Sequence, residues 1–228
     1  LHLHPVRTHR WSLKWATTWG LGIASLAAFL ITLITGVLLM FYYKPHTEVA
    51  YDSIKDIAFV VPTGSFIRNI HRWAANVMVV TVILHMARAF YTAAYRAPRE
   101  FNWLIGMALL VLTLGLSFTG YLLPWDQLAY WAVTVGTRIA ASVPLVGEEA
   151  RHLLLGGSSI GQPTLTRFYA LHCFVLPAAT LLLTFWHLWR VRKDGGLAAS
   201  DRVVDDAIER ARHAPAAAGK SYTLLGTT

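Results

Sequence analysis

The chain has 228 residues, 55% of them AVILMFWYC and 14% charged, against roughly 25% charged in an ordinary soluble domain. With 16 Gly, 9 Trp, a single Cys and a mean hydropathy of +0.46, it is neither a disordered chain nor a disulfide scaffold, and it has no Cys-only metal site. The net charge of +8 is spread over loops and shows no basic run interleaved with stacking aromatics. It therefore reads as the loop charge of an integral membrane protein, with no nucleic-acid partner.

In chain order, residues 1–18 carry Arg7, Arg10 and Lys14 with no acid. Trp11, Leu13, Trp15 and Trp19 beside them predict an N-terminal helix lying in the membrane interface, not a cleaved signal peptide. Four stretches then have the roughly 20 mostly apolar residues needed to cross a bilayer. They are span A (Trp19–Tyr43), span B (Trp73–Tyr95), span C (Phe101–Leu123) and span D (Phe168–Trp189), each with an aromatic at or within two residues of both ends. The C–D connection is long, about Pro124 to Arg167. It predicts one or two short surface helices, ended by the Gly156-Gly157-Ser158-Ser159 turn. Residues 1–196 form the folded unit, and residues 197–228 form a polar, Ala-rich tail.

The loops set an expected orientation. The N-terminal segment, the B–C loop with Arg96 and Arg99, and the end of D with Arg190, Arg192 and Lys193 are basic. The A–B and C–D loops balance their charges. Both termini and the B–C loop are therefore expected on the cytoplasmic, electrically negative side. High Ala, Arg and Trp favour a bacterial inner membrane over a thylakoid-type one.

Histidines carry the chemistry. His71 and His85 lie 14 residues apart on B, and His172 and His187 lie 15 apart on D. At 100° per residue these steps leave rotations of about −40° and about +60°, so each pair shares roughly one helix face. Spans B and D run antiparallel, which brings His71 level with His172 and His85 level with His187. Two imidazoles facing each other at each level can bind one haem iron axially. A proton relay would want carboxylates in the spans, and a zinc site would want more ligands at one level. Gly22 and Gly36 on A, and Gly106 and Gly120 on C, repeat the 14-residue period. Without a Cβ they let the edge of a flat ligand slot between helices, although small-residue helix packing has the same pattern. Arg68 and Arg72 bracket His71, and Arg88 lies one turn from His85. Propionate pairing and interfacial snorkelling suit these three arginines equally well.

The segment Gly120-Tyr-Leu-Leu-Pro-Trp-Asp-Gln-Leu-Ala-Tyr-Trp-Ala-Val resembles the C–D connection of the cytochrome b6 type, the short form of cytochrome b in bc and b6f quinol oxidoreductases. Arg68-Asn-Ile-His-Arg-Trp, Gly161-Gln-Pro-Thr-Leu-Thr-Arg-Phe-Tyr-Ala-Leu-His and Met40-Phe-Tyr-Tyr-Lys-Pro resemble the same family, over about Trp11 to Gly196. The 15-residue step on D is similar to the b6-type branch.

The resemblance implies an all-α, four-helix membrane bundle with two non-covalent haems b. His71 and His172 would hold the low-potential haem, and His85 and His187 the high-potential one. It implies quinol oxidation at the positive side, electron transfer to a quinone at the negative side, and coupled proton translocation. Arg192 matches a basic residue at the family's negative-side quinone pocket. The implied partners are a Rieske iron–sulfur protein, a c-type cytochrome and a dimeric assembly in the lipid membrane. The family's Pro-Glu-Trp-Tyr quinol-site motif is absent, which implies a separate subunit resembling the C-terminal half of cytochrome b. Many b6-type relatives attach a third haem through a helix-A cysteine. Aligning Thr35-Gly36 and Phe41-Tyr42-Tyr43 places that cysteine at Ala28, so no covalent third haem is expected. The alternatives are a dihaem membrane anchor of a dehydrogenase or hydrogenase, and a non-redox transporter or assembly protein.

Overall fold

The computed structural model describes residues 18–194, and the regular structure among them is helical throughout. The expected N-terminal interfacial helix and the tail from residue 197 lie outside the described residues. Four helices are long and apolar enough to cross a membrane. Span A is α1 (Leu21–Met40), span B is α3 (Gly64–Tyr91) and span C is α4 (Glu100–Leu122). Span D is a continuous rod made of α7 (Gln162–Ala170), a π-helical turn (Leu171–Val175) and α8 (Leu176–Lys193). Large apolar side chains on these helices point outward: Ile23 is 77% exposed, Val111 65% and Leu182 69%. In water these would be misplaced core residues. In a bilayer they are the lipid-facing surface, and the protein is an integral, multi-pass membrane protein.

The bundle interior is small. Ala28 and Phe29 of α1, Met78 and Val82 of α3, Leu116 of α4, and Leu176 and Leu181 of α8 meet at mid-depth, so all four spans converge on one apolar plug. Above and below that plug the histidines stand in their two levels.

Two helix ends reach further than apolar composition indicates. Helix α3 begins at Gly64, nine residues before Trp73, because Arg68, Asn69 and Arg72 continue the helix into the polar layer. The D rod begins at Gln162, six residues before Phe168, with Pro163 in its first turn. The A–B connection also contains a helix that hydropathy did not single out, α2 (Ala50–Phe59). It is amphipathic, burying Ala50, Ser53 and Ile57 against Tyr43 and Leu165. The C–D connection holds the two expected surface helices, α5 (Gln127–Ala141) and α6 (Gly147–Leu155). Asp126 caps α5 by accepting the Ala129 N–H at 2.8 Å. Gly156, at φ 74°, ends α6 in the left-handed conformation, as its sequence predicts.

These surface elements are tied to the spans by directed hydrogen bonds. The Tyr43 hydroxyl donates to the Leu123 carbonyl at 2.5 Å and joins the ends of A and C. The fully buried Thr164 donates to the Leu155 carbonyl at 2.7 Å and accepts the Gly161 N–H. Gln162 accepts the Thr47 N–H at 2.8 Å, and its amide nitrogen donates to the Pro45 carbonyl at 2.9 Å. One side chain thus fastens the A–B loop to the start of D. Replacing Gln162 with Ala should speed hydrogen exchange of the Thr47 amide about fivefold, as expected for a bond with a net worth of about 1 kcal/mol. Exchange in the centres of the spans should stay unchanged. Unaltered exchange at Thr47 would show that the loop is held by other contacts.

Candidate functional site

The four span histidines form two facing pairs. The His71 and His172 ring centres are 6.2 Å apart with planes at 75°. Those of His85 and His187 are 6.4 Å apart at 79°. Two metal–imidazole bonds of about 2 Å, each extended about 1 Å to its ring centre, add up to roughly 6 Å. Each pair is therefore spaced to hold one metal centre between two opposed rings. No group of three or more His, Cys, Asp or Glu among the described residues could hold a metal ion, so the candidate ligands come in twos.

The unequal spacings, 14 on B and 15 on D, have a local explanation. His172 sits in the five-residue π turn Leu171–Val175. A π turn accommodates one residue more than the α-helix without advancing the face. Fifteen residues on D therefore do the angular work of fourteen on B, and the residual of about +60° expected for a regular helix is absorbed.

The four glycines stand at the two levels, in a one-to-one relation to the histidines. A Cβ built on Gly36 would lie 3.2 Å from His71 Cε1, and one on Gly120 only 2.5 Å from His172 Cε1. At the other level, a Cβ on Gly22 would lie 3.4 Å from His85 Cε1. One on Gly106 would lie 3.8 Å from His187 Cε1 and 3.4 Å from Met86 Sδ. Gly22, Gly36 and Gly120 make room first for an imidazole of the neighbouring span, and Gly106 for Met86 and then for His187. Glycine is used here for close approach, since all four sit in regular helix.

Two further side chains touch the rings, and sequence reasoning did not assign them. Thr35 Oγ1 is 2.9 Å from His71 Nδ1, and Thr119 Oγ1 is 3.2 Å from His172 Nδ1. Both are buried, and both immediately precede a ring-facing glycine. The repeated Thr-Gly pair on A and C was the available signal. His187 Nδ1 is buried without a hydrogen-bond partner.

A cavity of about 600 Å³ opens at the His71/His172 level. His71, His172, Gly36, Gly120, Arg68 and Arg72 all line it, together with Tyr43, Tyr169 and Cys173. Its size lies within the range of roughly 300–1,000 Å³ usual for cofactor sites. Arg68 and Arg72 therefore flank the same space as the histidine between them. Arg88 lies one turn beyond His85, in the last turn of α3. Arg192 lies in the last turn of α8, five residues past His187.

Ala28 is the position at which the resemblance places a thioether cysteine of some relatives. Ala28 is 4% exposed and packed in the mid-depth plug with Phe29, Met78 and Leu116. It stands six residues, about 9 Å of helix rise, inside the Gly22/His85 level.

Comparison with known proteins matches this arrangement to a described family. The family model "Cytochrome b/b6/petB" matches residues 8–195. The cytochrome b6 of Heliobacterium mobile is 44% identical over 192 residues, which is 84% of this chain and 88% of that protein. The chain belongs to the cytochrome b/b6 family. The cytochrome b6 of Synechococcus elongatus is 45% identical over 175 residues, 77% of this chain and 81% of that protein. Among solved structures, a chain of a hyperthermophilic respiratory Complex III superposes with a TM-score of 0.72 at 34% identity. The match covers 78% of this chain and 48% of that one, so this chain spans about half the length of its structural neighbour.

The ring–glycine contacts predict a graded substitution series. Alanine at Gly22 should be neutral or slightly stabilising, because a contact of 3.4 Å is ordinary and helix propensity gains about 0.5–1 kcal/mol. Alanine at Gly120 should cost about 1–3 kcal/mol through overpacking against His172. Melting temperatures in lipid nanodiscs read the order. Equal values for the two variants would mean that the His172 ring is not held against Gly120.

Proposed function

We propose that the chain is the dihaem cytochrome b subunit of a bc/b6f-type quinol oxidoreductase. His71 with His172, and His85 with His187, would each hold one haem b. The observation that carries the reading is the pair of facing imidazoles at each of two levels, 6.2 and 6.4 Å between ring centres. The residues present fit the group. The rings are opposed in twos, glycines open the helix surfaces behind them, and a cavity of about 600 Å³ with two arginines flanks the His71/His172 level. Bound there, the two haems would supply one-electron transfer from a quinol oxidised at the positive side to a quinone at the negative side, coupled to proton translocation.

The rest of the proposal concerns this chain's own groups. Arg68 and Arg72 would pair with carboxylates of a group in the cavity, and Arg88 would do so at the other level. Arg192 would bind the quinone by its planar guanidinium at the end of span D. The mid-depth plug of Phe29, Met78 and Leu116 excludes water between the levels. By the excess of basic residues in the N-terminal segment, the B–C loop and the end of D, both termini would lie on the cytoplasmic side of a bacterial membrane. A separate subunit with the missing quinol-site motif, a Rieske protein and a c-type cytochrome would complete a dimeric assembly. The only sulfhydryl, Cys173, lines the cavity at the His71/His172 level, so no thioether-bound third haem is proposed at the other level.

The purified protein should contain about two low-spin b haems per chain, from the ligand count of two imidazoles per iron. His85→Ala should remove one and leave the other spectrally intact. A folded preparation with one haem or none would overturn the dihaem reading. A second test concerns completeness. The chain purified without partner subunits should show no sustained quinol–cytochrome c reductase activity, and robust activity would contradict the division of labour.

A further inference from the structure

We propose that Thr35 and Thr119 are positioning residues that fix the tautomer of His71 and His172 and make that pair the more strongly donating of the two ligand pairs. The inference rests on the dihaem reading above. It begins with the count of hydroxyl protons. A threonine hydroxyl has one proton to donate. Thr35 Oγ1 lies 2.6 Å from the Ile31 carbonyl, and Thr119 Oγ1 lies 2.8 Å from the Gly115 carbonyl. Both protons are committed to the backbone one turn earlier. Towards the rings each oxygen can therefore only accept, and the proton at that contact belongs to the imidazole. His71 and His172 are held as Nδ1–H tautomers, which leaves the Nε2 lone pair free for a metal.

The other level lacks this device in its own register. Fourteen residues from Thr35 on span A stands Leu21, and fourteen from Thr119 on span C stands Ile105. These residues precede Gly22 and Gly106 as the threonines precede Gly36 and Gly120, and neither has a hydroxyl. His187 Nδ1 is accordingly buried with no partner. The two levels share ring pairing and glycine seats, and among the described residues they differ in whether a side-chain hydroxyl meets Nδ1. An acceptor at Nδ1 raises the basicity of the imidazole as a ligand, which favours the oxidised, more positive iron over the reduced one. The His71/His172 level should therefore have its midpoint lowered by its threonines, whatever the background field of neighbouring charges.

Redox titration of the purified complex, followed optically, tests this after haem content has been measured. The components are assigned to levels with His85→Ala. Thr35→Val and Thr119→Val keep the side-chain shape and remove the acceptor. Each should shift the reduction equilibrium of the His71/His172 component about threefold to tenfold towards the reduced form, which is ~30–60 mV for a one-electron couple. The serine variants should restore the original midpoint, and the His85/His187 component should stay still throughout. Ile105→Thr should do the reverse at the other level, lowering the His85/His187 component by giving His187 an acceptor. Unmoved midpoints in the valine variants with both haems bound would overturn the proposal, as would serine and valine behaving alike. If a valine variant fails to bind haem, the decision falls to Ile105→Thr, and an unmoved component there overturns the proposal. Absence of haem from the unsubstituted protein would instead defeat the dihaem reading itself.

Discussion

The arrangement depends on four places where a helix presents bare backbone to an imidazole of its neighbour. Gly22 and Gly36 on span A face His85 and His71 of span B, and Gly106 and Gly120 on span C face His187 and His172 of span D. These contacts fix the axial register of A against B and of C against D. A slip of one turn, about 5.4 Å, would drive a side chain into a ring. The facing of B and D then follows, because each half of the bundle carries its two rings at the same separation in depth. The apolar plug sits between the levels and belongs to all four spans, so it holds the halves together without crossing either ring pair.

Lipid surroundings raise the stakes of every polar atom. An imidazole has two nitrogens, and one left unsatisfied in an apolar interior costs free energy of the order of 1–3 kcal/mol. At the His71/His172 level the outer nitrogens meet threonine hydroxyls. At the other level His187 Nδ1 has none. The inner nitrogens need a partner as well, and a metal centre between the rings, as proposed, would provide it for both at once. Ligand binding and bundle stability are therefore linked: whatever occupies the ring pairs stabilises the packing of B on D by binding the folded chain preferentially.

Much of this was legible from the sequence, for reasons that can be named. Span existence follows from composition, and the two histidine levels follow from helical periodicity on two antiparallel spans. The helices of B and D reach beyond the apolar windows that start at Trp73 and Phe168, because Arg68, Asn69, Arg72 and the Gln162–Arg167 turn carry them on with polar residues. Helix α2 was invisible to hydropathy, since only Ala50, Ser53 and Ile57 face inward. The 14/15 asymmetry could be counted but not explained, because a π turn around His172 leaves no mark in residue type. The glycines were found by their period, and the structure adds that an imidazole stands near each of them. Spacing locates a level along a helix, and it does not say whether a ring or a ligand edge fills the room. The threonines were missed because a hydroxyl in a membrane helix ordinarily bonds its own backbone, and here it does that and meets a ring as well.

The central claim is that one metal-bearing group lies between the rings at each level. A density map of the purified protein in lipid nanodiscs tests this most directly. The account predicts an iron-centred, flat density between His71 and His172 and a second between His85 and His187, with Nε2 of each ring directed at the iron. Ring pairs in direct contact with each other, or an iron held by any other residue at either level, would contradict it.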